Sequence, residues 1–318
     1  MADWYNYIIQ HNPTPKGFET GRGAAYETPL RDKVHGRIYR ITHRQGMPST
    51  MATLDPSNPS TLIAALGNDN MFWRTHAQRL LVERANTDVL PQLAALVQQQ
   101  SVDELGLNPA AIHALWTMEG LNAMDGSNSD ATEAALAALK HPSAGVRRAA
   151  AMVLPRNEAT LNALLDQQLL EDADAQVRMA TLLALAELPS REDAGAAVFA
   201  AIKEARKADD RWLPDAATAA AAKNDTAFIK AMLTSAPSDL EGALGRVLKV
   251  VTTHYAGRGA TDSIVSTLTA LKGAAPEAAT IVLDGLMEGW PTAKTPNLSD
   301  ADKQQLESVM DTLPELVR

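Results

Sequence analysis

The chain has 318 residues, no cysteine and a formal net charge of −9. The absence of cysteine excludes disulfides, thiol catalysis, covalent c-type haem attachment and cysteine-ligated zinc within this chain. The negative charge disfavours binding to the phosphate backbone of nucleic acid. No apolar run approaches the roughly 20 residues that a membrane-spanning helix needs.

The first 45 residues differ from the rest in charge and pattern. Residues 1–50 carry seven Lys and Arg against four Asp and Glu, so the remainder is more acidic than the whole chain. Aromatic and β-branched residues on both sides of Asn6 predict two short strands joined by a turn. A loop rich in Pro and Gly follows, and residues 36–41 predict another strand. Such strands need a further sheet, or must lie against the helices, so we expect a segment cut from a larger protein.

Two stretches of this segment carry a resemblance. Residues 3–13 read DWYNYIIQHNP and residues 35–40 read HGRIYR. They resemble the last propeller blade of the large bacterial membrane-bound dehydrogenase-like family, whose propeller is similar to those of sugar and sorbosone dehydrogenases. In that family HEAT repeats follow the propeller, and often a PVC-type cytochrome c haem domain follows them. The resemblance implies that the chain is a fragment of such a protein, and that it is periplasmic or membrane-associated.

The resemblance places no catalytic residue and no cofactor in this chain. The parent's cofactors would be a quinone in the propeller and haem c in a C-terminal domain. Asp3, Asn6 and His11 are the candidate polar site of the first segment. Asp3 and Asn6 match a propeller-blade turn in which such side chains bond the local backbone, and ligand binding is the alternative. His11 either braces the loop or has a functional role.

After a linker at residues 46–57, residues 58–318 predict a HEAT-like α-solenoid of about seven helix pairs, so the fold class is mainly α. Apolar periodicity predicts helices at residues 59–66, 72–84, 89–99, 109–121, 130–139, 144–154, 158–170, 175–188, 191–208, 213–223, 225–234, 240–255, 262–271, 276–290 and 300–316. Positions 74, 113, 147, 178 and 212 mark a recurring second-helix pattern at steps of 39, 34, 31 and 34 residues. Variable steps favour HEAT-like repeats over the stricter tetratricopeptide array.

An arginine recurs near the start of the second helix of a pair, at Arg74, Arg147 and Arg178. In helical-repeat arrays such an arginine bonds an acid or a helix-end carbonyl of the neighbouring repeat. We therefore predict that these three side chains stack the repeats, with ligand contact as the alternative. The acidic cluster at residues 171–174 predicts a solvated loop rather than a cation site.

Aromatic and histidine side chains form a candidate interaction surface on two successive second helices. It comprises Trp73, His76 and Arg79, together with His113 and Trp116. His76 and Arg79 are one helical turn apart, and so are His113 and Trp116. This surface packs against the propeller end or the adjacent repeat, or it binds a peptide or protein partner.

No sequence motif for metal binding, phosphate binding or nucleophilic catalysis is present. We therefore predict a non-catalytic HEAT-repeat scaffold or protein-interaction module. Its partners would be protein domains, either the propeller and haem domain of the parent or another protein. One alternative is part of a quinone-dependent sugar dehydrogenase whose catalytic propeller lies outside this sequence. A second is a nucleic-acid-binding HEAT-like protein, which the acidic body disfavours.

Overall fold

The computed structural model of the protein describes residues 2–3, 16, 36–39, 41, 43–46, 51–205, 211–235, 240 and 242–310. The chain divides into two units, Met1–Met51 and Ala52–Arg318. The boundary between them lies inside the linker predicted at residues 46–57.

The first unit contains a short antiparallel pair of strands, β1 (Ala2–Asp3) and β2 (Arg37–Ile38). Ala2 lies opposite Ile38, and Asp3 lies opposite Arg37. β2 falls within the strand predicted at residues 36–41. The strands predicted around Asn6 lie outside the described residues, and the assignment of residues 1–45 to a propeller blade stays a prediction.

The second unit is built from helices joined by short loops, which confirms the predicted mainly α fold. In chain order its described helices are α1 (Pro59–Ala65), α2 (Met71–Glu83), α3 (Leu90–Val97), α4 (Pro109–Gly120), α5 (Ser129–Ala138), α6 (Ala144–Val153), α7 (Glu158–Asp166), α8 (Ala175–Leu185), α9 (Glu192–Ala205), α10 (Trp212–Lys223), α11 (Asp225–Ser235), α12 (Ala243–Gly257), α13 (Ile264–Thr269), α14 (Pro276–Gly289) and α15 (Asp300–Met310).

Odd-numbered and even-numbered helices make up successive pairs. Contacts join α1 to α2, α3 to α4, α5 to α6, α9 to α10 and α11 to α12. Every even-numbered helix from α2 to α12 also contacts the next even-numbered helix, which makes a continuous layer. Helix pairs that stack on their neighbours in this way form a HEAT-like helical-repeat solenoid.

Asparagine side chains cap the N-termini of several helices. Asn70 Oδ1 accepts a hydrogen bond from the backbone N–H of Phe72 at 2.9 Å, at the start of α2. Asn108, Asn128 and Asn157 cap α4, α5 and α7 in the same way. Each of these bonds satisfies an N–H group that has no partner inside the first turn of its helix.

Small residues allow α12 and α14 to approach closely. A methyl group built on Gly285 of α14 would lie 2.8 Å from Cβ of Thr252 on α12. One built on Gly289, a turn later, would overlap the carbonyl oxygen of Thr253 and lie 2.9 Å from Cβ of Ala256. The two helices therefore pack closely because glycines lie at their contact, rather than because large side chains interlock there.

The structure divides the helix predicted at residues 158–170. α7 ends at Asp166, and Gln168 adopts a left-handed conformation with φ of 55°. A 3-10 turn at Leu169–Glu171 follows, and both of its leucines are buried. The left-handed residue ends α7 and changes the direction of the chain, and the two adjacent leucines that follow it both enter the core.

Candidate functional site

The start of α2 exposes two large apolar side chains directly before Trp73, the first residue of the candidate interaction surface. Met71 is 64% exposed and Phe72 is 52% exposed, and Trp73 beside them is half-buried. The Phe72 ring meets the Trp73 ring edge-on, with centroids 5.0 Å apart. We call Met71, Phe72, Trp73, His76 and Arg79, with Trp116 of α4, the α2–α4 surface.

His76 and Arg79 supply the polar groups of the α2–α4 surface. The His76 ring lies against the Phe72 ring with a centroid separation of 4.0 Å, and its Nδ1 bonds the Phe72 carbonyl oxygen at 2.8 Å. Arg79 Nε is 3.7 Å from Glu83 Oε1, and both side chains are more than half exposed. A pair this open to water contributes little, so the Arg79 guanidinium is available to a partner.

His113 lies between α2 and α4 and fixes one to the other. Its Nε2 accepts a hydrogen bond from Arg74 Nε at 3.4 Å, and its Nδ1 donates to Gln78 Oε1 at 2.6 Å. Burial and the nearby Arg74 charge lower the pKa of His113 below its usual value, so the ring is neutral at pH 7. Sequence reasoning put His113 on the interaction surface, and the structure places it in the joint beneath that surface.

Trp116 follows His113 by one turn on α4. Its side chain is half-buried and packs against the hydrophobic core. It therefore holds α4 against the core and offers a partner only part of its ring.

The candidate polar site of the first segment is not assembled by the described residues. Asp3 lies in β1, where its backbone pairs with Arg37. Asn6 and His11 lie outside the described residues. The proposed turn role of Asp3 and Asn6, and a role for His11, stay predictions.

Arg74, Arg147 and Arg178 each occupy the fourth position of their helix and make the same backbone contact. In each, Nη1 donates to the carbonyl oxygens six and five residues earlier, at distances between 2.6 and 3.1 Å. Those carbonyls belong to the loop that precedes the same helix. Each arginine therefore fixes the loop inside its own repeat.

Arg147 also reaches the next repeat. Its Nε and Nη2 donate to Asp172 Oδ2 and Oδ1 at 2.7 and 2.8 Å, and the two side chains are 18% and 9% exposed. Burial raises the pKa of Asp172, but the hydrogen bond from Arg147 and the Asp174 backbone N–H lower it by more. The interpretation of the 171–174 cluster as solvated is therefore wrong for Asp172, because the preceding repeat supplies its counter-ion.

Sequence reasoning missed a second buried joint, around His141. This side chain is fully buried, its Nε2 donates to the Gln99 carbonyl oxygen at 2.8 Å, and its Nδ1 accepts from the Ser143 backbone N–H at 2.9 Å. Asn108 Nδ2 donates to the same Gln99 carbonyl at 2.9 Å. The available signal was local, since Asn108 directly precedes Pro109 and could be identified as a helix cap.

A groove of about 770 Å³ lies where the ends of α8, α10 and α12 meet the starts of α9, α11 and α13. Its charged groups are largely bonded to one another. Arg258 Nε and Nη2 hold Asp225 Oδ2 and Oδ1 at 2.7 and 3.1 Å, and Lys230 bonds Glu192 at 2.8 Å. These pairs join residues 33 and 38 positions apart, so they connect neighbouring repeats. The groove is part of the joints and has no arrangement suited to acid–base or nucleophilic chemistry.

Within the described part of the chain, no three His, Asp or Glu side chains come close enough to hold a metal ion. In the same residues no helix has the length and apolar character required to cross a bilayer.

Comparison with known proteins gives little further information. No family model matches the sequence, and no curated protein matches it. Among solved structures, the chain is similar to the complex of CpcE and CpcF of phycocyanin lyase from Nostoc sp. PCC7120, with 18% identity and a TM-score of 0.39 over 89% of this chain and 100% of that chain. At this identity and TM-score the similarity does not extend to function.

Proposed function

We propose that the chain is a HEAT-like repeat module that binds a protein partner through the α2–α4 surface. The observation that carries this proposal is the exposure of Met71 and Phe72 at the start of α2, beside a half-buried tryptophan. Large apolar side chains grouped at one place and surrounded by polar groups are typical of protein-binding surfaces.

The composition of the surface suits a protein partner. Aromatic residues, methionine and arginine are enriched where proteins bind each other, and tryptophan, tyrosine and arginine contribute most to affinity. Phe72 and Met71 would enter an apolar depression of the partner, and Arg79 would meet a carboxylate at the edge of the contact. An acidic or neutral apolar patch is therefore the complementary surface.

The joint beneath the surface supports the same proposal. The hydrogen bonds that His113 accepts from Arg74 and donates to Gln78 fix α2 relative to α4. A surface whose supporting helices are already fixed loses less conformational entropy when it binds. The solenoid therefore presents these side chains in a set arrangement, as a scaffold does.

The test is affinity capture with matched variants. Bait protein carrying Met71→Ser and Phe72→Ser is compared with wild type and with Met287→Ser, which removes a methionine that is 75% exposed on α14. We expect a partner that wild type and Met287→Ser both retain and that the double variant loses by at least about tenfold, as for loss of an apolar anchor. Equal retention by all three baits would refute the proposal. Far-UV circular dichroism checks that each bait is folded.

The resemblance of residues 3–13 and 35–40 favours a second candidate, that the chain belongs to a quinone-dependent dehydrogenase-like protein with a propeller, in the periplasm or at a membrane. Its support is that resemblance, with the pairing of Ala2–Asp3 to Arg37–Ile38, which lie within or beside the two stretches. The partner of the α2–α4 surface would then be the propeller or a haem domain. Sequencing the DNA upstream of Met1 tests this candidate, which requires strand-rich coding sequence there.

A further inference from the structure

A second cavity lies in the second unit, between the α7–α8 pair and the α9–α10 pair. It has a volume of about 720 Å³ and is lined mainly by apolar side chains. Arg178 also lines it and supplies a positive charge. Volumes of 300 to about 1,000 Å³ with apolar walls and a few polar groups are typical of small-molecule sites. We call this cavity the Arg178 cleft. Its apolar lining includes Leu164, Leu165, Leu170, Ala197 and Ala201.

Arg178 offers this cleft a guanidinium that is only partly used. Nη1 donates to the carbonyl oxygens of Asp172 and Ala173 at 2.6 and 3.1 Å. Its Nε and Nη2 make no hydrogen bond to any of the described residues. Those two nitrogens are the edge of arginine that binds a carboxylate with two parallel hydrogen bonds.

The preceding repeat shows what such an edge binds. Arg147 holds the carbonyls of its own loop with the same Nη1 contact, and its Nε and Nη2 hold the Asp172 carboxylate at 2.7 and 2.8 Å. Arg178 is the same residue type at the same helix position, and its side chain lines the cleft. By comparison with Arg147, a carboxylate is the group that Nε and Nη2 of Arg178 are suited to bind.

The acids that line the cleft do not repel such a ligand strongly. Both oxygens of Asp193 are bonded to Arg191, at 2.6 and 2.9 Å, so its charge is compensated. Glu171 is exposed, where water and salt screen its charge.

We propose that the Arg178 cleft binds an amphiphilic monocarboxylate, with its carboxylate on Nε and Nη2 of Arg178. The apolar tail lies along Leu164, Leu165 and Leu170, where it removes apolar surface from water. This site is separate from the α2–α4 surface, and its test does not depend on the proposed partner.

The probe is decanoate, titrated by calorimetry below its micelle concentration into the full chain, with 1-decanol as the uncharged analogue. We expect saturable binding of decanoate that exceeds binding of decanol by at least about tenfold. Arg178→Met keeps the apolar stem and should lower decanoate affinity by at least about tenfold, whereas Arg148→Met, at an exposed arginine of α6, should leave it unchanged.

A second pair of variants tests the cleft without removing Arg178. Ala197→Leu fills it and should abolish binding, and Ala196→Leu, at the exposed neighbouring position, should preserve it. No saturable binding of decanoate to wild type would overturn the proposal, as would equal binding of decanol.

Discussion

Arg147 and Asp172 form a two-point ion pair between consecutive repeats, with Nε to Oδ2 at 2.7 Å and Nη2 to Oδ1 at 2.8 Å. The backbone carbonyl of Asp172 in turn accepts from Arg178 Nη1 at 2.6 Å. The main-chain carbonyl of Asp172 therefore accepts a hydrogen bond from the arginine of its own repeat, and its carboxylate accepts two from the arginine of the preceding repeat. This is how the solenoid joins a loop to a neighbouring helix at this point.

Replacement of Asp172 by asparagine should destabilise the second unit by about 2–3 kcal/mol, since it leaves the Arg147 guanidinium largely buried without its counter-ion. Urea denaturation followed by far-UV circular dichroism measures the effect. Asp166→Asn, at an exposed aspartate that ends α7, is the control and should change stability by less than about 0.5 kcal/mol. Equal midpoints for the two variants would show that the ion pair does not stabilise the joint.

Removal of Arg178 should loosen the neighbouring repeats, because its guanidinium holds the loop that presents Asp172 to Arg147. We expect Arg178→Ala to cost about 1–2 kcal/mol in thermal or urea unfolding. The cycle of Arg147→Ala and Arg178→Ala should show coupling of at least about 0.5 kcal/mol, since both side chains act through Asp172. Strict additivity, or a melt of Arg178→Ala that matches wild type, would count against the stacking role.

His113 should make stability depend on pH. Its pKa in the folded chain lies below the usual 6.5, mainly through burial and then through the Arg74 charge. Well above pH 6.5 the ring is neutral in both states and contributes no pH dependence. As the pH falls through 6.5 towards the lower pKa of the folded ring, the unfolded chain binds a proton that the folded ring resists, so the free energy of unfolding decreases.

The measurement is urea unfolding at pH values on both sides of 6.5 for wild type, His113→Gln and His254→Gln. His254 is exposed on α12 and serves as the matched control. Wild type and His254→Gln should lose stability on acidification more steeply than His113→Gln. Parallel curves for all three proteins would rule out His113 as the group responsible.

Gly289→Ala should destabilise the α12–α14 joint, since the added methyl would overlap the Thr253 carbonyl oxygen, a backbone atom that cannot rotate away. We expect a loss of about 1–3 kcal/mol despite the higher helix propensity of alanine. Gly257→Ala is the control, because a methyl at the end of α12 would meet only the Gly289 carbonyl oxygen, at 3.9 Å. Thermal unfolding that gave Gly289→Ala a midpoint equal to or above that of Gly257→Ala would contradict the close approach.

The helices could be predicted from the sequence because apolar periodicity and capping residues are local signals. Asn108 before Pro109 and Asn70 before Met71 mark helix starts that the structure shows within one or two residues of the predicted ones. The break at Gln168 was missed because a left-handed non-glycine residue has no local signature. The burial of Leu169 and Leu170 in the core, which depends on tertiary packing, determines where α7 ends.

The candidate site was harder to predict, since its geometry depends on residues from separate repeats. The spacing of His113 and Trp116 indicated a shared face, but only the fold shows that His113 points to Arg74 and Gln78. Asp172 looked like a loop acid because its partner lies 25 residues earlier in the chain. Exposure of Met71 and Phe72 likewise follows from which side of α2 the neighbouring helix covers.

Hydrogen–deuterium exchange of the full chain, alone and with its captured partner, tests the central claim most directly. Backbone amides exchange more slowly where a partner covers or rigidifies the helix that carries them. The proposed function predicts slower exchange across α2 and around Trp116 in α4, with α12 and α14 unchanged. Protection confined to α12 and α14, or no protection at α2 with the partner bound, would contradict it.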